Sequence, residues 1–150
     1  MKIRKARTED VSSIVAMLAD DELGKQRENY QLPIPDTYLR AFEHIKADKN
    51  QELMVVESED GSVIGTLQLS FIPYLTYRGG IRAQIEAVRI HKAHRGEGLG
   101  VKMFQWAIER AKEKKAHVLQ LTTDKKRPKA IAFYQKLGFA ATHEGMKLHF

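Results

Sequence analysis

The stretch His94-Arg95-Gly96-Glu97-Gly98-Leu99-Gly100 places three alternating glycines between a strand-like segment and a helix-like segment. The first backbone N–H groups of such a helix have no partner within it, and the helix dipole adds partial positive charge there. Glycine lets a ligand approach the backbone closely, and Arg95 adds a cation beside it. The heptapeptide therefore predicts a site for an anion such as a phosphate group.

The strand before this turn carries an irregular hydrophobic pattern. Apolar residues occupy the odd positions from Ile81 to Ala87, and then the phase changes to Val88 and Ile90. Because side chains alternate with a period of two along a strand, a one-residue slip predicts a β-bulge at Ala87–Val88. The alternative is a strand buried on both faces, which needs no bulge.

The rest of the chain is predicted to form one mixed α/β domain over residues 1–150, in the order β-α-α-β-β-β-α-β-α-β. Asp60-Gly61 marks a hairpin turn, Thr8 is the expected N-cap of the first helix, and residues 20–36 read as irregular. The helix after the glycine turn should point Val101, Phe104, Ile108 and Ala111 inward. The predicted strands are 1–7, 52–58, 62–72, 81–90, 117–122 (buried) and 146–150, and the predicted helices are 8–19, 37–48, 98–114 and 128–137.

Composition narrows the function classes. The 150 residues are 43% hydrophobic, which suits one domain with a core, and the absence of cysteine excludes disulfides, thiolate zinc sites and cysteine nucleophiles. The charged N-terminus and the lack of any apolar run of about 18 residues predict a cytoplasmic protein without a membrane partner. The net charge of +6 admits nucleic acid, a membrane surface or a phosphate-bearing ligand.

Three readings of the glycine turn can be weighed from the residues. A P-loop requires Gly, four residues and then Gly-Lys-Ser/Thr, which the chain lacks. A dinucleotide-binding G-x-G-x-x-G begins at Gly96 and Gly98, but Val101 stands at its third glycine, and the turn follows three antiparallel-looking strands. A plain strand-to-helix turn would use the glycines for geometry alone.

A family resemblance adds a further reading. Residues 95–100 resemble the R/Q-x-x-G-x-G/A signature of the GNAT family of N-acetyltransferases, and residues 85–90 resemble its bulged central strand. Residues 130–139 resemble its A-x-x-F-Y-x-x-x-G-F segment, and residues 3–10 its "IR-A-ED" start. The match is strong over residues 81–139. It implies a mostly antiparallel sheet flanked by helices, with the bulged central strand splayed from its neighbour.

The resemblance also implies a cofactor and the residues that bind it. In this family acetyl-CoA donates its acetyl group directly to an amine, without a metal. Val88, Arg89 and Ile90 would meet the pantetheine arm, and Arg127 replaces an Asn that commonly contacts it. Lys125, Lys126 and Arg127 could instead meet the coenzyme's phosphates, although a solvated loop is the simpler explanation. The pyrophosphate would lie against Arg95, Gly96, Glu97, Gly98, Leu99 and Gly100.

Two residues are the candidates for proton transfer. Tyr134 matches the family's tyrosine that protonates the departing thiolate, a role that suits a phenol with a pKa near 10. Its alternative is core packing, because Ile131, Tyr134 and Leu137 form an apolar stripe. Glu86, one residue before the bulge, is the candidate general base, and its alternative is a solvated strand residue.

The acceptor and the partners are less defined. A primary amine of a small molecule or peptide is expected, and an acidic segment in the irregular stretch would suit a cationic one. A non-catalytic acyl-CoA sensor and a basic nucleic-acid-binding domain remain alternatives. The basic segment from Lys112 to Lys115 lacks the interleaved aromatics that nucleic-acid binding favours, so no nucleic-acid partner is expected. His91 and His94 lack a third metal ligand, so no metal site is expected there. The family resemblance also makes a homodimer possible. The acceptor-site candidates are Asp20, Asp21, Glu22, Glu28, Tyr30, Tyr74 and Tyr77.

Overall fold

A computed structural model describes residues 1–20 and 22–150 of the chain. A 3₁₀ turn at Thr8–Asp10 leads into the first helix. The strands are β1 (Lys2–Lys5), β2 (Gln51–Glu57), β3 (Val63–Pro73), β4 (Ile81–Ile90) and β5 (Val118–Leu121). The helices are α1 (Val11–Ala19), α2 (Glu22–Arg27), α3 (Asp36–Ala47), the single turn α4 (Thr76–Gly79), α5 (Leu99–Glu113) and α6 (Pro128–Lys136).

The five strands form one sheet in the order β1-β2-β3-β4-β5. Every neighbouring pair is antiparallel except β4 and β5, which are parallel. Helices α5 and α6 pack on one face over the larger apolar core, and α1 and α3 cover the other face around Val11, Val15 and Phe42. The predicted mixed, mostly antiparallel sheet with flanking helices is confirmed.

The predicted bulge lies in β4. Thr66 pairs with Arg89 and Gln68 pairs with Glu86, so Leu67 alone opposes Ala87 and Val88. Ala87 has the left-handed backbone (φ 53°) that such a bulge uses. The extra residue returns Val88 and Ile90 to the face that packs against the larger core, and it leaves Glu86 exposed. The alternative of a strand buried on both faces is therefore wrong.

The start of the chain differs from its prediction in two respects. Thr8 is not an N-cap: Arg7 is the N-cap residue of the 3₁₀ turn and Asp10 is that of α1. The Asp10 carboxylate reaches back along the chain and accepts a hydrogen bond from the Arg7 N–H at 2.7 Å. Arg4 on β1 also binds Asp10, at 2.6 and 3.0 Å, which fixes the carboxylate in place. Residues 20–36 are not irregular throughout, since α2 forms within them.

Three further predictions about packing need correction. In α5 the predicted inner face had the wrong phase at its start: Val101 is 37% exposed, and Leu99, Met103 and Ala107 are buried instead. Strand β5 is partly exposed because it lies at the edge of the sheet, with β4 as its partner. Residues 146–150 form no strand; their alternating pattern suits one, but Met146 is 95% exposed and no described strand pairs with this segment.

A buried ion pair fastens α5 to β2. Glu52 is 4% exposed, and its two carboxylate oxygens accept hydrogen bonds from Arg110 Nε at 2.8 Å and Nη2 at 2.6 Å. Lys114 Nζ lies 3.5 Å from the same carboxylate. The hydrogen bonds from Arg110 lower the pKa of Glu52 and outweigh the effect of burial. Glu52 therefore keeps its charge inside the fold through this contact.

We expect Arg110→Met to lower the free energy of unfolding by about 3 kcal/mol at pH 7, because it leaves a buried carboxylate with Lys114 as its remaining cation. A folded-state pKa below the unfolded value, about 4.3, means that the pair stabilises the fold above that pH and that this contribution is lost as the pH falls through the folded pKa. Urea unfolding at pH 7 and pH 4 should show a smaller cost at pH 4.

Lys112→Met is the matched control, since it breaks the exposed Lys112–Glu109 pair of 2.7 Å on the same helix. Exposed pairs of this kind contribute about 0–1 kcal/mol. Two outcomes would contradict this explanation: an equal loss of unfolding free energy in the two variants, or a loss in Arg110→Met that does not change with pH. Either would show that Arg110 does not stabilise the fold by compensating the buried charge of Glu52.

Candidate active site

The glycine turn between β4 and α5 has the geometry that an anion site requires. Gly96 (φ 87°) and Gly98 (φ 76°) both have left-handed backbones, and Gly98 is the N-cap of α5. A Cβ at either position would meet no atom within 4 Å, so backbone conformation rather than crowding favours glycine there. Gly100 differs, because its Cβ would lie 3.3 Å from Ile90 Cδ1 and 3.4 Å from Phe133 Cζ.

Arg95 is held at the edge of this turn. Its Nε donates to the Ile90 carbonyl at 3.1 Å, and its Nη2 donates to Asp20 Oδ2 at 2.8 Å. Leu99 is buried in the core, so it presents its backbone rather than its side chain to a ligand. The Glu97 carboxylate is exposed and lies 3.4 Å from His94 Nδ1. The turn thus offers backbone N–H groups with one arginine beside them.

From Glu86 onwards, no described residue pairs with β4 on its β5 side. The two strands pair only from Arg82 opposite Val118 to Ile85 opposite Leu121. Residues 86–90 of β4 continue past the end of β5 and lead to the glycine turn. The sheet therefore has a gap, here called the β4–β5 gap, that extends from Glu86 to Ile90. The pairing of the two strands thus ends where the predicted splay would begin.

Tyr134 approaches the sheet from α6. Its ring lies against Phe104, Phe133 and Phe139, with centroids 5.4, 5.6 and 6.2 Å away. Burial raises the pKa of Tyr134, and the charges of Arg127 and Arg89 act in the opposite direction. The phenol therefore keeps its proton at neutral pH, with two guanidinium groups in its surroundings. The predicted apolar packing is present, and it is compatible with a proton-donating role.

Glu86 lies on the face of β4 that points away from the larger core and Tyr134, and it belongs to a polar network. Its Oε1 accepts a hydrogen bond from Gln84 Nε2 at 2.8 Å, and Gln120 Nε2 of β5 donates to Gln84 Oε1. Sequence reasoning missed both glutamines. Gln84 could have been found from its alternation with Glu86, whereas Gln120 depends on the parallel register between β4 and β5.

The arginines of the predicted site are engaged within the protein. Arg89 Nη1 donates to the Val88 carbonyl at 2.8 Å. Arg127 is the N-cap residue of α6, and its N–H donates to the Asp124 carbonyl at 2.9 Å. Lys125 is exposed and lies 3.2 Å from the Glu144 carboxylate. Val88, Arg89 and Ile90 line the β4–β5 gap, while Arg127 begins the helix that carries Tyr134.

The acidic segment expected to face a cationic acceptor is largely compensated by bases. Asp20 binds Arg95, Glu22 lies 3.3 Å from Lys25, and Glu28 lies 2.7 Å from Arg27. Asp21 lies outside the described residues. Glu28 also accepts a hydrogen bond from the Tyr38 hydroxyl at 3.1 Å. These contacts leave little uncompensated negative charge in this segment.

The other singled-out residues lie elsewhere. Tyr74 and Tyr77 surround His117, with the Tyr77 and His117 rings stacked at 4.4 Å. Tyr30 lines a polar cleft of about 590 Å³ between α1 and the β2–β3 turn. Over residues 1–20 and 22–150, no three His, Asp or Glu side chains are grouped closely enough for a metal ion. No helix in this part of the chain is both long and apolar enough to cross a membrane.

Known proteins resemble this chain in sequence and in fold. The family model "Acetyltransferase (GNAT) family" matches residues 18–139. The aminoalkylphosphonate N-acetyltransferase of Salmonella typhimurium is 28% identical over 142 residues, which cover 95% of this chain and 86% of the relative.

Two solved structures extend the comparison. A protein from Bacillus halodurans C-125, described as a transcriptional regulator, has a TM-score of 0.95 and 54% identity over 99% of both chains. A predicted acetyltransferase from Clostridium acetobutylicum, crystallised with acetyl-CoA, has a TM-score of 0.74 and 26% identity over 99% of this chain and 95% of that one. The chain therefore belongs to the acetyltransferase (GNAT) family, and the predicted enzyme class, an acetyl-CoA-dependent N-acetyltransferase, is confirmed at the level of that family.

Proposed function

We propose that this protein transfers the acetyl group of acetyl-CoA directly to the primary amine of a small molecule. The observation that carries the proposal is that residues 86–90 of β4, beyond the end of the pairing with β5, lead directly towards the glycine turn. An anion site at the turn would suit the diphosphate of the coenzyme, and the proposal expects the Tyr134 phenol near the thioester at the other end of the pantetheine arm. A peptide amine is the alternative acceptor.

The donor would lie along the β4–β5 gap. Its diphosphate would accept hydrogen bonds from backbone N–H groups of residues 96–100, with Arg95 as the neighbouring cation. The pantetheine amides would pair with Val88 and Ile90 as an added strand does. In the structure the Arg89 guanidinium donates to the Val88 carbonyl. On binding, a pantetheine N–H would replace the guanidinium as the donor to this carbonyl. Arg127 would supply positive charge from the start of α6.

The chemistry would use groups on both faces of the sheet. Glu86 would take one proton from the acceptor ammonium, and the neutral nitrogen would then attack the thioester carbonyl. The C–N bond forms, the C–S bond breaks, the nitrogen loses its second proton to solvent, and Tyr134 protonates the departing sulfur. A backbone N–H near Val88 would stabilise the oxyanion, an interaction whose loss typically costs about 10²–10³ in kcat.

An amine that also carries an acidic group is the acceptor class that the charges favour. The Salmonella relative is named for aminoalkylphosphonates, which combine the two. In this chain the described acids of the α1–α2 region are ion-paired, which disfavours a polyamine. Arg82 lies on the same face of β4 as Gln84 and Glu86, and its buried Nε has no hydrogen-bond partner among the described residues. It is a candidate for the acidic group.

Acetyl-CoA should stabilise the protein selectively in thermal unfolding, whereas NADH and ATP should not. At about 100 times its Kd a ligand contributes roughly 2.7 kcal/mol, which is a rise of several degrees for a domain of this size. Turnover is then measured as free thiol released with aminoalkylphosphonates, amino acids, polyamines and a peptide. Selective stabilisation followed by amine-dependent thiol release is the expected result.

The remaining outcomes separate the alternatives. Stabilisation without turnover of any amine favours the acyl-CoA sensor, and stabilisation by NADH alone would contradict the reading of the glycine turn. A duplex DNA is the fourth ligand, because the Bacillus halodurans relative is described as a transcriptional regulator and the net charge is +6. Against DNA binding, Lys112 and Lys114 of the basic segment and the nearby Arg110 each contact an acidic side chain.

A further inference from the structure

We infer that Asp20 is a positioning residue for the coenzyme's diphosphate and that it acts through Arg95. The inference rests on the proposed function, in which the diphosphate binds at the glycine turn. Asp20 follows the last residue of α1, and Arg95 lies 75 residues later, in the turn between β4 and α5. Their side chains meet at 2.8 Å, so this contact links two distant parts of the chain at the turn where the proposed function places the donor's diphosphate.

The donors of the Arg95 guanidinium can be assigned one by one. Nε donates to the Ile90 carbonyl at 3.1 Å. Nη2 donates to Asp20 twice, to Oδ2 at 2.8 Å and to the main-chain carbonyl at 3.4 Å. Nη1 donates to none of the residues that the structure describes. An arginine has five N–H donors, so two remain on Nη1 for a ligand while the other three hold the group in place.

This anchoring explains why Asp20 should matter for affinity. A free arginine side chain on the surface samples many rotamers, and a ligand that fixes it must offset that loss of entropy. Here β4 fixes one edge of the guanidinium and Asp20 fixes another before the ligand arrives. The carboxylate also repels a diphosphate, but both side chains are partly solvated, so this repulsion is screened. The geometric contribution is therefore expected to prevail.

The test compares Asp20→Ala, Asp20→Asn and Arg95→Ala with the unmodified protein. Asp20→Ala should raise the Kd and KM of acetyl-CoA about 5-fold without changing kcat, whereas Asp20→Asn, which keeps an oxygen acceptor, should restore values within twofold. The double variant Asp20→Ala/Arg95→Ala should bind acetyl-CoA no more weakly than Arg95→Ala alone. Glu109→Gln, which breaks an exposed ion pair on α5, is the control and should change nothing.

A truncated donor separates positioning from general structure. Acetyl-pantetheine lacks the diphosphate, so Asp20→Ala should leave its kcat/KM unchanged. An equal loss with both donors would mean that Asp20 only supports the fold, and unchanged or tighter acetyl-CoA binding by Asp20→Ala, with weaker binding by Arg95→Ala, would also overturn the inference while the proposed function stands. If Arg95→Ala leaves acetyl-CoA binding unchanged, the placement of the diphosphate fails together with the inference.

Discussion

Tyr134→Phe should lower kcat about 100-fold and leave the KM of acetyl-CoA within twofold. The substitution removes the proton donor to the departing thiolate, and a positioned general acid contributes typically about 10²–10⁴ in rate. Phenylalanine retains the ring that packs against Phe104 and Phe139, so the fold and the donor site should persist. Steady-state kinetics with acetyl-CoA and a saturating amine measure both constants.

The pH dependence identifies the role of the hydroxyl. Burial raises the pKa of Tyr134, so the phenol remains protonated across the neutral range and loses its proton only at strongly alkaline pH. If it acts as the acid, the kcat of the unmodified protein should fall at high pH as the phenol ionises. The Phe variant should lack this fall, because it has no group to ionise at that position.

Tyr38→Phe is the matched control for loss of a phenol. The Tyr38 hydroxyl contacts Glu28 at 3.1 Å and accepts a hydrogen bond from the Asn29 N–H at 2.9 Å, within the α2–α3 region. Its removal should leave kcat unchanged. A kcat for Tyr134→Phe within about threefold of the unmodified value would assign Tyr134 to core packing alone.

The sequence predicted those features of the fold that arise from local periodicity. The slip after Ala87 identified the bulge because a side-chain period of two allows no other regular way to keep Val88 and Ile90 on the core face. Gly98 marked the start of α5 because a left-handed N-cap strongly favours glycine. Within α5 the same reasoning failed at Val101, since the apolar face is wider than one stripe and the neighbouring layers decide which edge of it is buried.

Contacts between distant segments could not be predicted in this way. The pairing of Asp20 with Arg95 depends on where α1 ends relative to β4, and no pattern within either segment encodes that distance. The network from Gln120 through Gln84 to Glu86 likewise depends on a parallel register. The resemblance made Tyr134 and the glycine turn candidates for the site, but it contained no information on the partners that hold Arg89 and Arg95.

Glu86→Gln should lower kcat/KM for the amine about 100-fold at pH 7. The proposed role of Glu86 is to take a proton from an acceptor ammonium, and glutamine cannot accept it. A primary alkylamine has a pKa near 10, so more of the acceptor is already neutral as the pH rises, and the base becomes less necessary. The ratio of the two rates should therefore shrink from pH 7 to pH 10, as measured with one amine at several pH values.

Gln84→Met distinguishes the carboxylate from its surroundings. It removes the Nε2 donor that contacts Glu86 Oε1 at 2.8 Å and keeps the carboxylate itself. We expect kcat/KM for the amine to fall by less than about 10-fold and its pH profile to match that of the unmodified protein. The reason is that the Glu86 carboxylate can still accept a proton after it loses one orienting hydrogen bond. A Glu86→Gln defect that is equally large at every pH would mean that Glu86 binds the acceptor and that water or a second group removes the proton.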